Sequence, residues 1–235
     1  MGIDVEIREL AESLGADFYG VADLAPAREA IAAQGGDLVV GYPRSVSVGV
    51  KLMHSLVDLL PGHAEDRLVG MNYRHHAYDV VNLRLDQLTG RLASALQGVG
   101  HRVLPVPASQ TVSEEKLCAI FSHKMGAHLA GLGWIGKNCL LITPEAGPRV
   151  RWATVLTDAP LAATGRAMEE RCGSCSECVD TCPVRAITGE PFRETDARDV
   201  RLDARSCRVY QEEMKEKVGF PVCGMCLYSC PHGQM

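Results

Sequence analysis

The run Cys172-Gly-Ser-Cys175-Ser-Glu-Cys178-Val-Asp-Thr-Cys182-Pro183 is a CxxCxxCxxxCP sequence, the bacterial spacing for cysteines that hold a 4Fe-4S cluster. An isolated Cys207 followed by Cys223-Gly-Met-Cys226-Leu-Tyr-Ser-Cys230-Pro231 repeats the pattern with its first cysteine moved upstream. Two residues between ligands let the backbone curl round one cubane, so three thiolates converge on it. Where two clusters are present, the cysteine before proline ligates the other one. That rule assigns Cys172, Cys175, Cys178 and Cys230 to one cluster, and Cys182, Cys207, Cys223 and Cys226 to the second. Eight of the ten cysteines are then used, and Cys118 and Cys139 read as small buried hydrophobes.

Paired CxxC groups also make tetrahedral zinc sites, but zinc takes four ligands and has no use for a third cysteine followed by Cys-Pro, twice over. Disulfides are disfavoured because an amphipathic helix pattern, not a signal peptide, follows Met1. No apolar stretch is long enough to span a membrane, so no membrane partner is expected, and the compartment reads as the reducing cytoplasm. A chain of 235 residues, 46% of them hydrophobic, suits one medium domain plus a small appendage. The net charge of −5 gives no basic footprint for nucleic acid.

Working back to the start, Ile3, Ile7, Leu10, Ala11 and Leu14 recur at helical spacing up to Gly15. Phe18–Leu24 reads as a strand, a short helix runs from Pro26 to Gly35-Gly36, and Ser45–Leu52 alternates as a half-buried strand. His54 to His76 holds Pro61, Gly62 and Gly70 and reads as a long loop. Val81, Leu85, Leu88, Leu92 and Leu96 mark a helix, and His101–Val106 a strand. Thr111 and Glu114 form a capping box for a helix carrying Leu117, Ile120, Phe121, Met125 and Leu129. Cys139–Thr143 and Val150–Thr157, joined by a Pro144–Pro148 turn, read as a β-hairpin; short helices and loops are expected after about residue 162.

Between these elements lies Gly131-Leu-Gly133-Trp134-Ile135-Gly136-Lys137, a literal GxGxxG. A dinucleotide fingerprint must follow a strand and open a helix. Here a helix precedes and a strand follows, so the loop reads instead as a cofactor-pocket candidate whose glycines permit close backbone approach. The run from His123 to Lys137, with Leu140-Leu-Ile, Leu156-Thr-Asp158, Leu202-Asp-Ala-Arg205-Ser-Cys207, Gly41-Tyr-Pro-Arg44-Ser-Val and both cysteine runs, resembles the epoxyqueuosine reductases. These are relatives of the cobalamin-dependent reductive dehalogenases, and the resemblance covers nearly the whole chain.

The resemblance implies an α/β (α+β) domain of flavin-nitroreductase-like kind that binds a corrinoid, over residues 1–165, and a ferredoxin-like domain with two 4Fe-4S clusters over 166–235. Electrons from a ferredoxin or flavodoxin would pass through the clusters to make Co(I), which reduces a small-molecule or protein substrate; the cofactor supplies the chemistry. Gly131, Gly133, Trp134, Ile135, Gly136 and Lys137 would line the cobalamin. A flavin in that pocket is a further option, and an electron-transfer or activating module without its own substrate is the alternative function. Two departures point away from the family's tRNA substrate. The family's acidic residue falls on Leu117-Cys118-Ala119 here, and this short member ends at Met235 without the helical-repeat region that helps grip tRNA. For proton delivery the candidates are Tyr73 (beside His75, His76 and Tyr78), His123 and Lys124, each weighed against a packing or surface role. Glu114 and Glu115 read as helix-dipole partners.

Overall fold

The computed structural model describes residues 2–62, 65–115 and 117–234. In chain order its main elements are α1 (Ile3–Ser13), β1 (Phe18–Asp23), α2 (Arg28–Gly35), α3 (Asp37–Val40), β2 (Arg44–Lys51), α4 (His54–Asp58) and α5 (Arg67–Arg74). Then come α6 (Val81–Gly98), β3 (Val103–Val106), α7 (His123–Leu129), β4 (Trp134–Ile135), β5 (Leu141–Ile142) and β6 (Val150–Thr157). The rest of the chain is mostly loop and holds α8 (Glu177–Asp180), α9 (Ala204–Val218) and α10 (Met225–Tyr228). The fold is mixed α/β.

The chain forms two compact units, neither continuous in sequence. The first takes the chain up to Val50, Asn82–Trp134 and Arg151–Glu169; the second takes Lys51–Val81, Ile135–Val150 and the chain from Glu170 on. A single cut at 165/166 therefore understates the second unit, which draws in two segments from the first half of the expected division.

In the first unit a four-stranded sheet has the order β1-β2-β6-β3. β1 and β2 run antiparallel with Val21 opposite Val46, and β3 and β6 antiparallel with Val106 opposite Thr154. Pro105 is tolerated because β3 is an edge strand, where a missing donor breaks no ladder. The core gathers Ala22, Leu24, Ile31, Val39, Phe121 and Leu156. β2 is not half-buried as its alternation suggests. Ser45 and Ser47 are 0% exposed, like Val46, Val48 and Val50, because β2 lies inside the sheet and both its faces are covered.

Three expectations are corrected. Residues 54–76 are largely helical: Asp66 caps α5 by accepting from the Leu68 backbone N–H at 2.8 Å, and a π-helical turn, His75–Val80, links α5 to α6. Pro61, Gly62 and Gly70 masked that pattern; His63 and Ala64 lie outside the described residues. The helix expected from Thr111 begins only at His123, where the Ser122 hydroxyl accepts from Met125 N. Leu117 takes a left-handed φ of 47° and Ser113 bridges Cys118, a turn no helix can pass through; Lys116 lies outside the described residues. β5 pairs with β4 rather than β6, because β6 is claimed by the main sheet.

Candidate metal centre

All eight cysteines of the two runs fall in the second unit. Cys172, Cys175, Cys178 and Cys230 line one pocket of about 310 Å³, part of it open to solvent, together with Lys137 and Ile142. Burial raises the Cys178 thiol to about 11, with Cys230 and Cys175 adding to the rise, and raises Cys230 to about 11, with Cys172 and Cys175 adding. The other four thiols are mutual neighbours in the same sense. Burial raises Cys226, Cys223 and Cys207; Cys223, Cys207 and Cys178 also raise Cys226, and Cys182 acts on all three. Left alone, such thiols stay protonated; a bound iron cluster supplies the positive charge that makes them thiolates. The donor set is therefore suited to 4Fe-4S clusters. Among the described residues no three His, Cys, Asp or Glu side chains converge closely enough to hold a single metal ion.

Local structure explains how the short runs hold these positions. The first run turns through Cys175 N donating to Cys172 O at 2.9 Å and leads into α8, on which Cys178 sits. Cys207 rides the first turn of α9, capped by Asp203, whose carboxylate accepts from Arg205 N and Ser206 N. In the second run Gly224 takes φ 81°, and a Cβ there would meet Tyr73 Oη at 2.6 Å and Leu60 Cδ1 at 2.7 Å. Two sulfurs accept hydrogen bonds: Cys182 Sγ from Ala186 N at 3.2 Å and Cys207 Sγ from Gln211 Nε2 at 3.6 Å.

One feature was missed in the sequence. Gly136 N donates to Leu140 O and Cys139 takes φ 58°, which makes a tight turn before β5 and projects Lys137 and Asn138. Lys137 Nζ donates to Gly173 O at 2.7 Å and Cys175 O at 3.1 Å, within the first cysteine run. Asn138 Nδ2 donates to Cys226 O at 3.1 Å, within the second, while its Oδ1 accepts from Leu140 N. Two adjacent residues thus fasten both runs. The available signal was an amide and an amine at the tip of a turn between short apolar segments.

The remaining sequence candidates are placed as follows. Gly131 has φ 80° and lies against the backbone of Gly165 and Arg166; the Gly133 carbonyl accepts from His128 Nδ1–H at 3.0 Å. Trp134 and Ile135 are 1% and 4% exposed, and a Cβ on Gly136 would strike Ile142. These side chains and gaps are filled by protein, and Lys137 is spent on the cysteine runs, so the loop's side chains do not form an open cradle for a corrinoid. Tyr73 is not on a loop facing a cofactor. It is 1% exposed on α5, packed edge-on against Tyr78 and against Gly224. His123 opens α7 with both ring nitrogens engaged: Nε2–H donates to Pro107 O at 3.1 Å, and Nδ1 accepts from the Thr154 hydroxyl at 2.9 Å. Burial lowers its pKa to about 4, which suits a fixed neutral imidazole rather than an acid. Lys124 follows it in the same turn, half-buried.

Residues 171–233 match the 4Fe-4S double cluster binding domain family. Over 97% of its length the chain is 28% identical to an epoxyqueuosine reductase of Pseudomonas aeruginosa. The chain is similar to the epoxyqueuosine reductases over nearly its whole length. It spans 63% of that relative's length. Its fold is also that of an epoxyqueuosine reductase solved with a tRNA-Tyr epoxyqueuosine-modified tRNA stem loop: TM-score 0.59, 22% identity, 97% of this chain and 64% of the other covered. The same fold recurs in a reductive dehalogenase whose structure is described as suggesting a mechanism for B12-dependent dehalogenation. There the TM-score is 0.64 at 18% identity, covering 97% of this chain and 32% of the other. Among the described residues no helix is long and apolar enough to cross a membrane.

Proposed function

We propose that the protein is an iron-sulfur oxidoreductase of epoxyqueuosine-reductase type, with Cys172, Cys175, Cys178 and Cys230 holding one 4Fe-4S cluster and Cys182, Cys207, Cys223 and Cys226 the other. The observation that carries this is the pocket that Cys172, Cys175 and Cys178 of the first run line together with Cys230 of the second, the cross-run set the spacing assigns to one cluster. Bound clusters supply single electrons at low potential, on the order of −400 mV for ferredoxin types. The chain's own residues position the ligands: Asp203 caps the helix that presents Cys207, Gly224 makes room beside Tyr73, and Ala186 N and Gln211 donate to sulfur. A ferredoxin or flavodoxin is the proposed donor and the cytoplasm the proposed compartment.

In the same proposal the electrons serve a corrinoid-dependent reduction, with a corrinoid supplying low-valent cobalt when bound. Homology to epoxyqueuosine reductases and the fold shared with a B12-dependent dehalogenase support this. The side chains of Trp134 and Ile135, which are buried, and of Lys137, which is engaged by the first cysteine run, do not support it. The α/β unit is proposed to be nitroreductase-like on the same resemblance. A relative of this fold binds an epoxyqueuosine-modified tRNA stem loop, so that stem loop is the first substrate to test, ahead of small molecules.

A second reading, an electron-transfer module for a partner protein, is favoured by one set of observations: His123 is fixed neutral, Tyr73 is buried, and Leu117-Cys118-Ala119 offers no carboxylate. Anaerobic purification with iron analysis, then titration with cobalamin, separates them. About eight irons are expected, falling to about four in Cys178→Ala. Full iron in Cys178→Ala would overturn the ligand assignment. Stoichiometric cobalamin and reduction of the stem loop support the reductase; eight irons without either leave the module.

A further inference from the structure

Lys137 and Asn138 hold the two cysteine runs by different means. The first run's carbonyls, Gly173 O and Cys175 O, take hydrogen bonds from a cationic amine, whereas the second run's Cys226 O takes one from a neutral amide. Lys137 also lines the pocket formed by the first four thiols, which places its charge beside them. Two carboxylates act against it at the same place: Glu170 Oε1 accepts from Cys172 N at 2.7 Å, and Glu177 lines the pocket. A cluster gains negative charge when reduced, so a nearby cation stabilises the reduced form and raises the potential, and an anion does the reverse.

We propose that Lys137 and Asn138 are positioning residues that set the potentials of the two clusters separately, Lys137 through its charge beside the first and Asn138 through its amide on the second. The inference rests on the cluster assignment proposed above. Lys137 offsets Glu170 and Glu177, keeping the first cluster reducible by the same donor as the second. Neither residue is a ligand, and neither was legible as part of the centre in the cysteine spacing.

The test is an anaerobic EPR-monitored redox titration of the full chain carrying its clusters, in wild type, Lys137→Gln and Asn138→Asp. Lys137→Gln removes the cation; Asn138→Asp keeps the acceptor for Leu140 N, loses the donor to Cys226 O and adds a negative charge. With about eight irons retained, each variant is expected to lower one midpoint, and not the same one. The shift is at least about tenfold in the reduced-to-oxidised ratio at fixed poise, ~59 mV for a one-electron couple. Equal shifts of both midpoints in Lys137→Gln, or no shift, overturn the proposal. If Lys137→Gln loses iron, Lys137→Arg decides: wild-type midpoints with the charge kept support the proposal, and a lowered midpoint overturns it. A wild type without about eight irons would instead overturn the cluster assignment, so the two failures are distinct.

Discussion

His123 is held at both ring nitrogens, and its burial sets a pH response. Its pKa falls from 6.5 to about 4 in the folded chain. Between those values the unfolded chain binds a proton that the folded chain does not, so stability drops as pH falls from 6.5 towards 4 and the loss stops growing below that. His123→Gln should flatten this part of the profile, read as the thermal midpoint against pH. Profiles that run parallel in wild type and variant would show that His123 does not titrate this way. Gly224 is a second residue whose identity is forced. Gly224→Ala combines a left-handed φ with collisions at Tyr73 and Leu60, at a cost of about 1–3 kcal/mol, and should reduce bound iron by loosening Cys223 and Cys226. Unchanged iron content would place the second cluster elsewhere.

The elements of the second unit owe more to caps and ion pairs than to apolar periodicity. α5 starts at Asp66, and Asp66→Ala should cost about 1 kcal/mol in a urea midpoint. Arg149, 2% exposed, pairs with Asp58 at 2.7 Å and donates to His54 Nδ1 at 3.0 Å, fastening α4 within the second unit. Asp58→Asn strands a buried charge and should cost more than the cap, about 2–3 kcal/mol given that Asp58 itself is half exposed. A smaller loss than for Asp66→Ala would reverse that ranking. α1, α6 and β2 were readable because each carries an unbroken 3.6 or 2 period, and β1 and β3 as short apolar runs bounded by turn residues. α4, α5 and the π-helical turn were not, since Pro61, Gly62 and Gly70 interrupt the count while capping restores the helix.

For the whole molecule, the second unit's dependence on Lys51–Val81 and Ile135–Val150 gives the clearest prediction. A fragment of residues 166–235 holds every cluster cysteine but lacks Lys137, Asn138 and Tyr73. After anaerobic reconstitution it should retain fewer irons than the full chain, measured per fragment after desalting. Eight stable irons in that fragment would show the interleaved segments to be dispensable.

The spacing of the cysteines by itself determined which residues can serve as cluster ligands, because two-residue gaps and a following proline restrict where a short backbone can place sulfur. Periodicity likewise determined the long helix α6 and the strand β2. Only the tertiary structure decided that Lys137 and Asn138 close on both cysteine runs, that Tyr73 fills the space Gly224 leaves open, and that β6 joins the main sheet instead of pairing with β5. Those outcomes depend on competition between segments far apart in sequence for the same hydrogen-bonding edges and the same buried volume, and a local pattern carries no record of the competitor.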